Sequence, residues 1–165
     1  MNNIVNASTL IIGIGNEFRS DDCAGVAVAR VLRQMHLPGV NVIEQSGEGT
    51  VLMEAMTGAD AVYLVDAVSS GARAGTVHRI HAHSEPFPRS FHCYSTHAFG
   101  VAQAVNLART MNILPARFIF IGIEGKNFEQ GEHLSSETSS AIQKVTALLS
   151  SEILSLANNN SELML

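Results

Sequence analysis

Five short apolar runs alternate with stretches of helical period, and this alternation constrains the fold more than any other feature of the chain. Thr9–Ile14 is β-branched and aliphatic and ends in glycines, which reads as a buried strand. Val40–Glu44 reads as a second strand. Ala61–Val65 reads as a third, continuous in apolar character as strands covered on both faces are. Phe118–Ile123 repeats that pattern, whereas Thr76–His83 alternates, carries three histidines and reads as an edge strand. Between the runs, Asp22–Met35 has Ala24, Ala27, Val28, Val31 and Met35 at helical spacing, with Ser20 and Asp21 as caps. Thr50–Met56 is a short helix, and Thr96–Met111 another with Val101, Val105 and Ala108 inward. Ser135–Leu156 closes the chain as an amphipathic helix with Ile142, Val145, Leu149, Ile153 and Leu156 on one stripe, and 158–165 is expected to fray as a tail. Strands alternating with helices predict an α/β fold, a three-layer sandwich with a twisted, mostly parallel sheet between helices on both faces.

Composition narrows the function classes. The 165 residues fit one domain spanning 1–165, with no internal repeat or linker, and suffice for a core without disulfide staples. A formal charge of −5 offers no electrostatic footprint for polyphosphate, so no nucleic acid is expected as a main partner. Two cysteines cannot make a disulfide framework and are expected to stay reduced. The apolar runs fall short of the roughly 18 residues a membrane helix needs, so no membrane insertion is expected. Met1–Ser8 is polar and lacks the pattern of a signal peptide, so the expected compartment is cytoplasmic.

In a parallel α/β sheet, sites form where loops leave the carboxyl ends of the strands. The first such loop, Gly13-Ile14-Gly15-Asn16-Glu17-Phe18, invites a dinucleotide reading. Phe18, however, stands where the third glycine belongs, and Glu17, Asp21 and Asp22 would repel a pyrophosphate. The glycines read equally well as permitting a tight strand-to-helix turn. Asp22 opens a helix, where the macrodipole favours its ionised form. Asp66 ends the third strand on the same rim. Either aspartate alone reads as a cap or turn residue. Two carboxylates on one rim repel unless a cation or proton lies between them. His97, in the first turn of its helix after Ser95 and Thr96, is expected to carry a neutral ring able to bind metal. Asp22, Asp66 and His97 thus form a candidate three-ligand site suited to Zn, Ni or a similar divalent ion.

Other candidates are weaker. His81 and His83 share one face of the edge strand and read as a solvated face. Cys93 could act beside His97 but lacks an evident orienting group, and Cys23 has acidic neighbours, so neither thiol is expected to be catalytic. No G-x-S-x-G elbow is present.

Gly13-Ile14-Gly15-Asn16, then Phe18, Asp21, Asp22 and Gly25, resembles the opening signature of the hydrogenase maturation proteases. The resemblance continues through Gly47, Gly49, Val65-Asp66-Ala67, Ser95-Thr96-His97, Gly100, Ile121-Gly122-Ile123-Glu124 and Leu134-Ser135. It implies a five-stranded twisted sheet between helices, and a metal-contacting acid, aspartate and histidine that fall on Asp22, Asp66 and His97. Cys23 departs from the pattern, where the family usually has a small residue, often Gly. Ser136 departs from a common Pro.

The resemblance further implies an endopeptidase, a metal-dependent or aspartic-type hydrolase, that trims the C-terminus of the NiFe hydrogenase large subunit precursor. Nickel would arrive bound to that precursor, and another divalent metal such as Zn or Cd can occupy the same donors. Asp22, Asp66 and His97 would complete the coordination of the substrate-borne ion, so that loaded precursor binds better than empty. Water attack with Asp22 or Asp66 as base, and no covalent Cys intermediate, is the expected chemistry. The Ser84–Tyr94 loop, with two Phe and Tyr94, either grips the client peptide or packs on the core. Two other readings stay open: a non-catalytic nickel-binding maturation chaperone and a nucleotide-binding α/β domain.

Overall fold

The structure, a computed structural model, describes residues 8–91 and 99–162, the last four of these by backbone alone. Five strands form one sheet: β1 (Thr9–Ile14), β2 (Val40–Gln45), β3 (Ala61–Val68), β4 (Val77–His81) and β5 (Arg117–Glu124). Their order is β2-β1-β3-β5-β4, parallel throughout except that β4 runs antiparallel to β5 at the edge. Four α-helices among the described residues cover it: α1 (Ala24–Gln34), α2 (Gly49–Met56), α3 (Val101–Thr110) and α4 (Ser136–Glu162). The expected three-layer α/β sandwich and its edge strand are present.

Side chains alternate across the pleat and divide the core in two. On one face Ile11, Tyr63, Val65, Ile119, Ile121 and Ile123 pack under α1 and α4. On the other, Ile12, Ile14, Val62, Leu64, Phe118 and Phe120 pack under α2 and α3. Burying each of these large side chains contributes about 1.5–3 kcal/mol, which is why strand existence follows from the apolar runs alone. Gly13 and Gly25 let α1 lie directly on the sheet: a Cβ on Gly25 would stand 2.1 Å from the Val65 carbonyl oxygen and 2.4 Å from that of Ile14.

Several expectations need correction. Ser20 and Asp21 do not cap α1; Ser20–Cys23 forms a separate 3-10 turn, and α1 begins at Ala24. Because Gly25 faces the sheet, the buried stripe of α1 is Ala24, Val28, Ala29 and Leu32, while Val31 and Met35 point outward. Asp66 lies inside β3, not at its end, opposite Gly122 of β5. The third helix starts at Val101 with Gly100 as its N-cap, whose N–H is accepted by the Gln103 side chain, so His97 precedes it rather than sitting in its first turn. α4 continues past Leu156 to Glu162. His92, Cys93, Tyr94, Ser95, Thr96 and His97 lie outside the described residues.

Strand order places the site. The chain steps from β1 outward to β2, then returns to the other side of β1 for β3. The crossovers therefore leave β1 and β3 in opposite directions, opening a crevice beyond their carboxyl ends.

Candidate active site

That crevice is a cleft of about 380 Å³ whose lining includes Gly15, Asn16, Asp22 and Asp66. Asp22 is 7% exposed and Asp66 3%. The structure thus brings two of the three expected site residues to one cavity, one from the turn after β1 and one from within β3. His97 lies outside the described residues, and among those described no cluster of three His, Cys, Asp or Glu side chains is placed to hold a metal ion. Two carboxylates lining one cleft are hard-oxygen groups of the type that can hold a divalent cation.

Local structure explains why Asp22 faces inward. Gly15 takes a φ of +152°, and a Cβ there would meet the Asp22 carbonyl oxygen at 2.1 Å, so the turn folds back on itself. Ser20 adopts φ +51°, rare for a residue with a side chain. Its strain is offset by hydrogen bonds from its N–H to the Gly131 carbonyl at 2.7 Å and from its Oγ to the Glu129 carbonyl at 3.0 Å. The Asn16 N–H then donates to Asp22 Oδ2 at 3.1 Å. Burial pushes the Asp22 carboxyl above its ordinary value, and the charge of Arg19 and the Asn16 bond offset that only in part. The expected net effect of the helix start, a favoured carboxylate, is therefore reversed by desolvation.

Asp21, next in chain, turns the other way and is fully buried. Its carboxylate accepts from the Lys126, Asn127 and Ser135 backbone N–H groups and from the Ser135 hydroxyl, at 2.7–3.1 Å. Burial raises its pKa, but these four donors outweigh burial and hold the group below its ordinary value. Asp21 thus ties the turn to the loop between β5 and α4. The Cys23 thiol is pushed up by burial and by the adjacent Asp21 and Asp22 charges, which disfavours a thiolate nucleophile.

Residues missed by sequence reasoning complete the cleft. Arg19, Arg30, Glu44, Gln45 and Ser46 all line it. The last three sit at or just beyond the end of β2, on the rim that strand-end reasoning singles out, so their signal was topological rather than compositional. Arg30 bridges Glu17 and Glu44 at 3.0 Å each across the exposed side of the cleft. Away from it, Glu124 is 2% exposed and accepts from Ser70 Oγ at 2.7 Å, with His78 Nε2 at 3.2 Å. His81 is exposed, and His83 bonds the Pro115 carbonyl at 2.8 Å. In the described part of the Ser84–Tyr94 loop, Phe87 packs on Phe120 with ring centroids 4.8 Å apart, so this part joins the core. The nucleotide reading weakens further: Gly13 and Gly15 are occupied in close packing, and Phe18, 58% exposed, stands where a pyrophosphate-binding glycine would be.

A family model described as hydrogenase maturation protease matches residues 26–154. The chain belongs to that family. The matched span includes positions 66 and 97, while Asp22 lies just ahead of it. Among curated relatives, the hydrogenase expression/formation protein HupD of Thiocapsa roseopersicina is 26% identical over 117 residues, 70% of this chain and 53% of that protein. HoxM of Azotobacter vinelandii, likewise a hydrogenase expression/formation protein, is 26% identical over 122 residues, 73% of this chain and 59% of its own length. This family member therefore spans little more than half the length of the curated relatives it matches. Among solved structures, the NiFe hydrogenase maturation protease HybD from Thermococcus kodakarensis superposes with a TM-score of 0.71 at 26% identity, covering 88% of this chain and 99% of that one. The hydrogenase maturating endopeptidase HybD from E. coli gives 0.73 at 21% identity, covering 86% and 89%, and shares the fold. No helix among the described residues is long and apolar enough to cross a membrane.

Proposed function

We propose that this chain is an endopeptidase that removes a C-terminal extension from the nickel-loaded precursor of a NiFe hydrogenase large subunit, acting in the cytoplasm. Membership of the maturation protease family supports the reaction class. The observation that carries the reading is the burial of Asp22 and Asp66 against one cleft at the switch point between β1 and β3. Two carboxylates withdrawn from water into a shared cavity repel each other, and a cation entering that cavity relieves the repulsion. The nickel is substrate here: it comes with the client, and Asp22 and Asp66, with His97, contribute donors to it. Binding free energy is gained only when the ion is present, so an empty precursor is passed over. One of the two carboxylates takes the proton of the attacking water. Cys23 has no part in bond making.

The test is incubation of the purified protein with nickel-loaded and nickel-free precursor, read by intact mass. The expected result is loss of the C-terminal peptide from the loaded form only, and its loss from neither form with Asp22→Asn or His97→Ala. Full processing by either variant removes that residue from the site. Tight nickel binding with the precursor length unchanged would instead favour a metal-binding chaperone.

A further inference from the structure

We infer that Arg19 is a further catalytic group of this site, receiving the scissile carbonyl oxygen of the client peptide; this rests on the peptidase reading above. Water attack on a peptide bond puts negative charge on the carbonyl oxygen, and a fixed cationic donor bordering the site stabilises that charge in addition to any ion the carboxylates hold.

Arg19 meets this need by position. It lines the cleft that holds Asp22 and Asp66, and it also lines the adjoining cavity of about 780 Å³, bounded by Ser69, Gly125 and Asn127 among others. It therefore borders both cavities, as Asn16 and Phe18 also do. Its half-buried side chain is oriented: Nε and Nη2 donate to the Phe128 carbonyl at 3.3 and 3.2 Å. Its backbone is held too, by an N–H bond to the Asn16 carbonyl at 3.1 Å and a bridge to Gly131. The strained Ser20 that follows turns the chain so that Asp22, two residues further, lines the same cleft as Arg19.

The step balances without a further reactant. Water adds to the carbonyl carbon, and its proton passes to a site carboxylate as the carbonyl electron pair moves onto the oxygen facing Arg19. The C–N bond then breaks, the same proton goes to the departing amine, and the proton left on the new carboxyl group passes to that amine as well, so the products are a carboxylate and an ammonium group.

The experiment compares wild type, Asp22→Asn, Arg19→Lys and Arg19→Ala on nickel-loaded precursor, with kcat and KM determined separately. Arg19→Ala is expected to lower kcat about 10²-fold, the loss typical of one oxyanion donor. Arg19→Lys, which keeps charge but loses the fork, should fall about tenfold, and KM should stay within about threefold of wild type in both. Millimolar guanidinium should restore part of the rate to Arg19→Ala and none to Arg19→Lys, which a purely structural role would not produce. Unchanged kcat in folded Arg19 variants beside an inactive Asp22→Asn overturns the inference and leaves the peptidase reading standing. A rise in KM alone overturns it as well. If Arg19→Ala does not fold, unchanged kcat in Arg19→Lys is the overturning result. A wild-type protein that leaves the precursor intact overturns both.

Discussion

On one side of the Ser20–Cys23 turn, Asp21 is sealed from solvent and saturated by donors from residues 126–135. On the other, Asp22 faces the cleft with the Asn16 N–H as its hydrogen-bond donor among the described residues. Burial pushes both carboxyls upward. At Asp21 the converging donors reverse that push, and at Asp22 they do not. Neighbouring residues of one type thus differ in how far their protein satisfies them: Asp21 fixes the backbone, and Asp22 borders the cleft with fewer donors of its own. A carboxylate fully satisfied by its own protein contributes to stability, whereas Asp22 is the one placed to meet a ligand under the proposed function.

The largest effect that separates the two sides is expected from Asp21→Ala. It would leave three buried backbone N–H groups without their acceptor, at a cost of about 3–5 kcal/mol. That corresponds to a melting temperature lower by about 10 °C or more. A loss below about 1 kcal/mol in urea unfolding would break the contrast. Gly25→Ala tests the platform both aspartates stand on. A new Cβ 2.1 Å from the Val65 carbonyl oxygen must displace backbone, costing about 2–3 kcal/mol.

The pH dependence of unfolding sharpens the comparison. Asp21, whose folded pKa lies below the unfolded value near 3.8, contributes stability that is present above that value and lost as pH falls through its folded pKa. Asp22, raised in the folded state, contributes in the opposite sense: its share is full below 3.8 and is lost as pH rises through its folded pKa. Asp21→Asn should therefore flatten the acid limb of a stability profile, and Asp22→Asn should steepen it. Equal slopes in the two variants would refute the division. At neutral pH, Asp22→Asn is expected to change stability by less than about 1 kcal/mol while abolishing processing. Cys23→Ala should have the smallest effect, within about 1 kcal/mol and with processing retained, since burial and the adjacent Asp21 and Asp22 charges disfavour its thiolate.

Much of this contrast was out of reach of the sequence, for reasons that differ residue by residue. β1 matched its apolar run from Thr9 to Ile14 because the strand is buried on both faces and nothing ambiguous flanks it. That Asp22 and Asp66 share a rim followed from topology, since helix starts and strand ends lie on one side of a parallel sheet. Asp66 sits within β3 because Val68 and Glu124 extend the pairing beyond it, a fact held by β5 and invisible in the local pattern. Ser20 and Asp21 looked like caps because their partners lie more than 100 residues away in sequence. Val31 and Met35 looked inward because α1 is apolar on more than one side, and only the glycine contact fixes its rotation. Ser95 and Thr96 are stronger capping types than Gly100, so propensity set the start of α3 too early. His97, the third candidate ligand read from the sequence, lies outside the described residues.

The hydrogen bonds joining residues 18–22 to 126–135 have a practical consequence. The two segments form one unit, although most of the chain separates them. Exchanging either alone with the matching loop of a relative should misalign the turn that carries Asp22, whereas moving both together should preserve its geometry. Attempts to graft this part of the cleft from a relative therefore have to begin with a paired transplant.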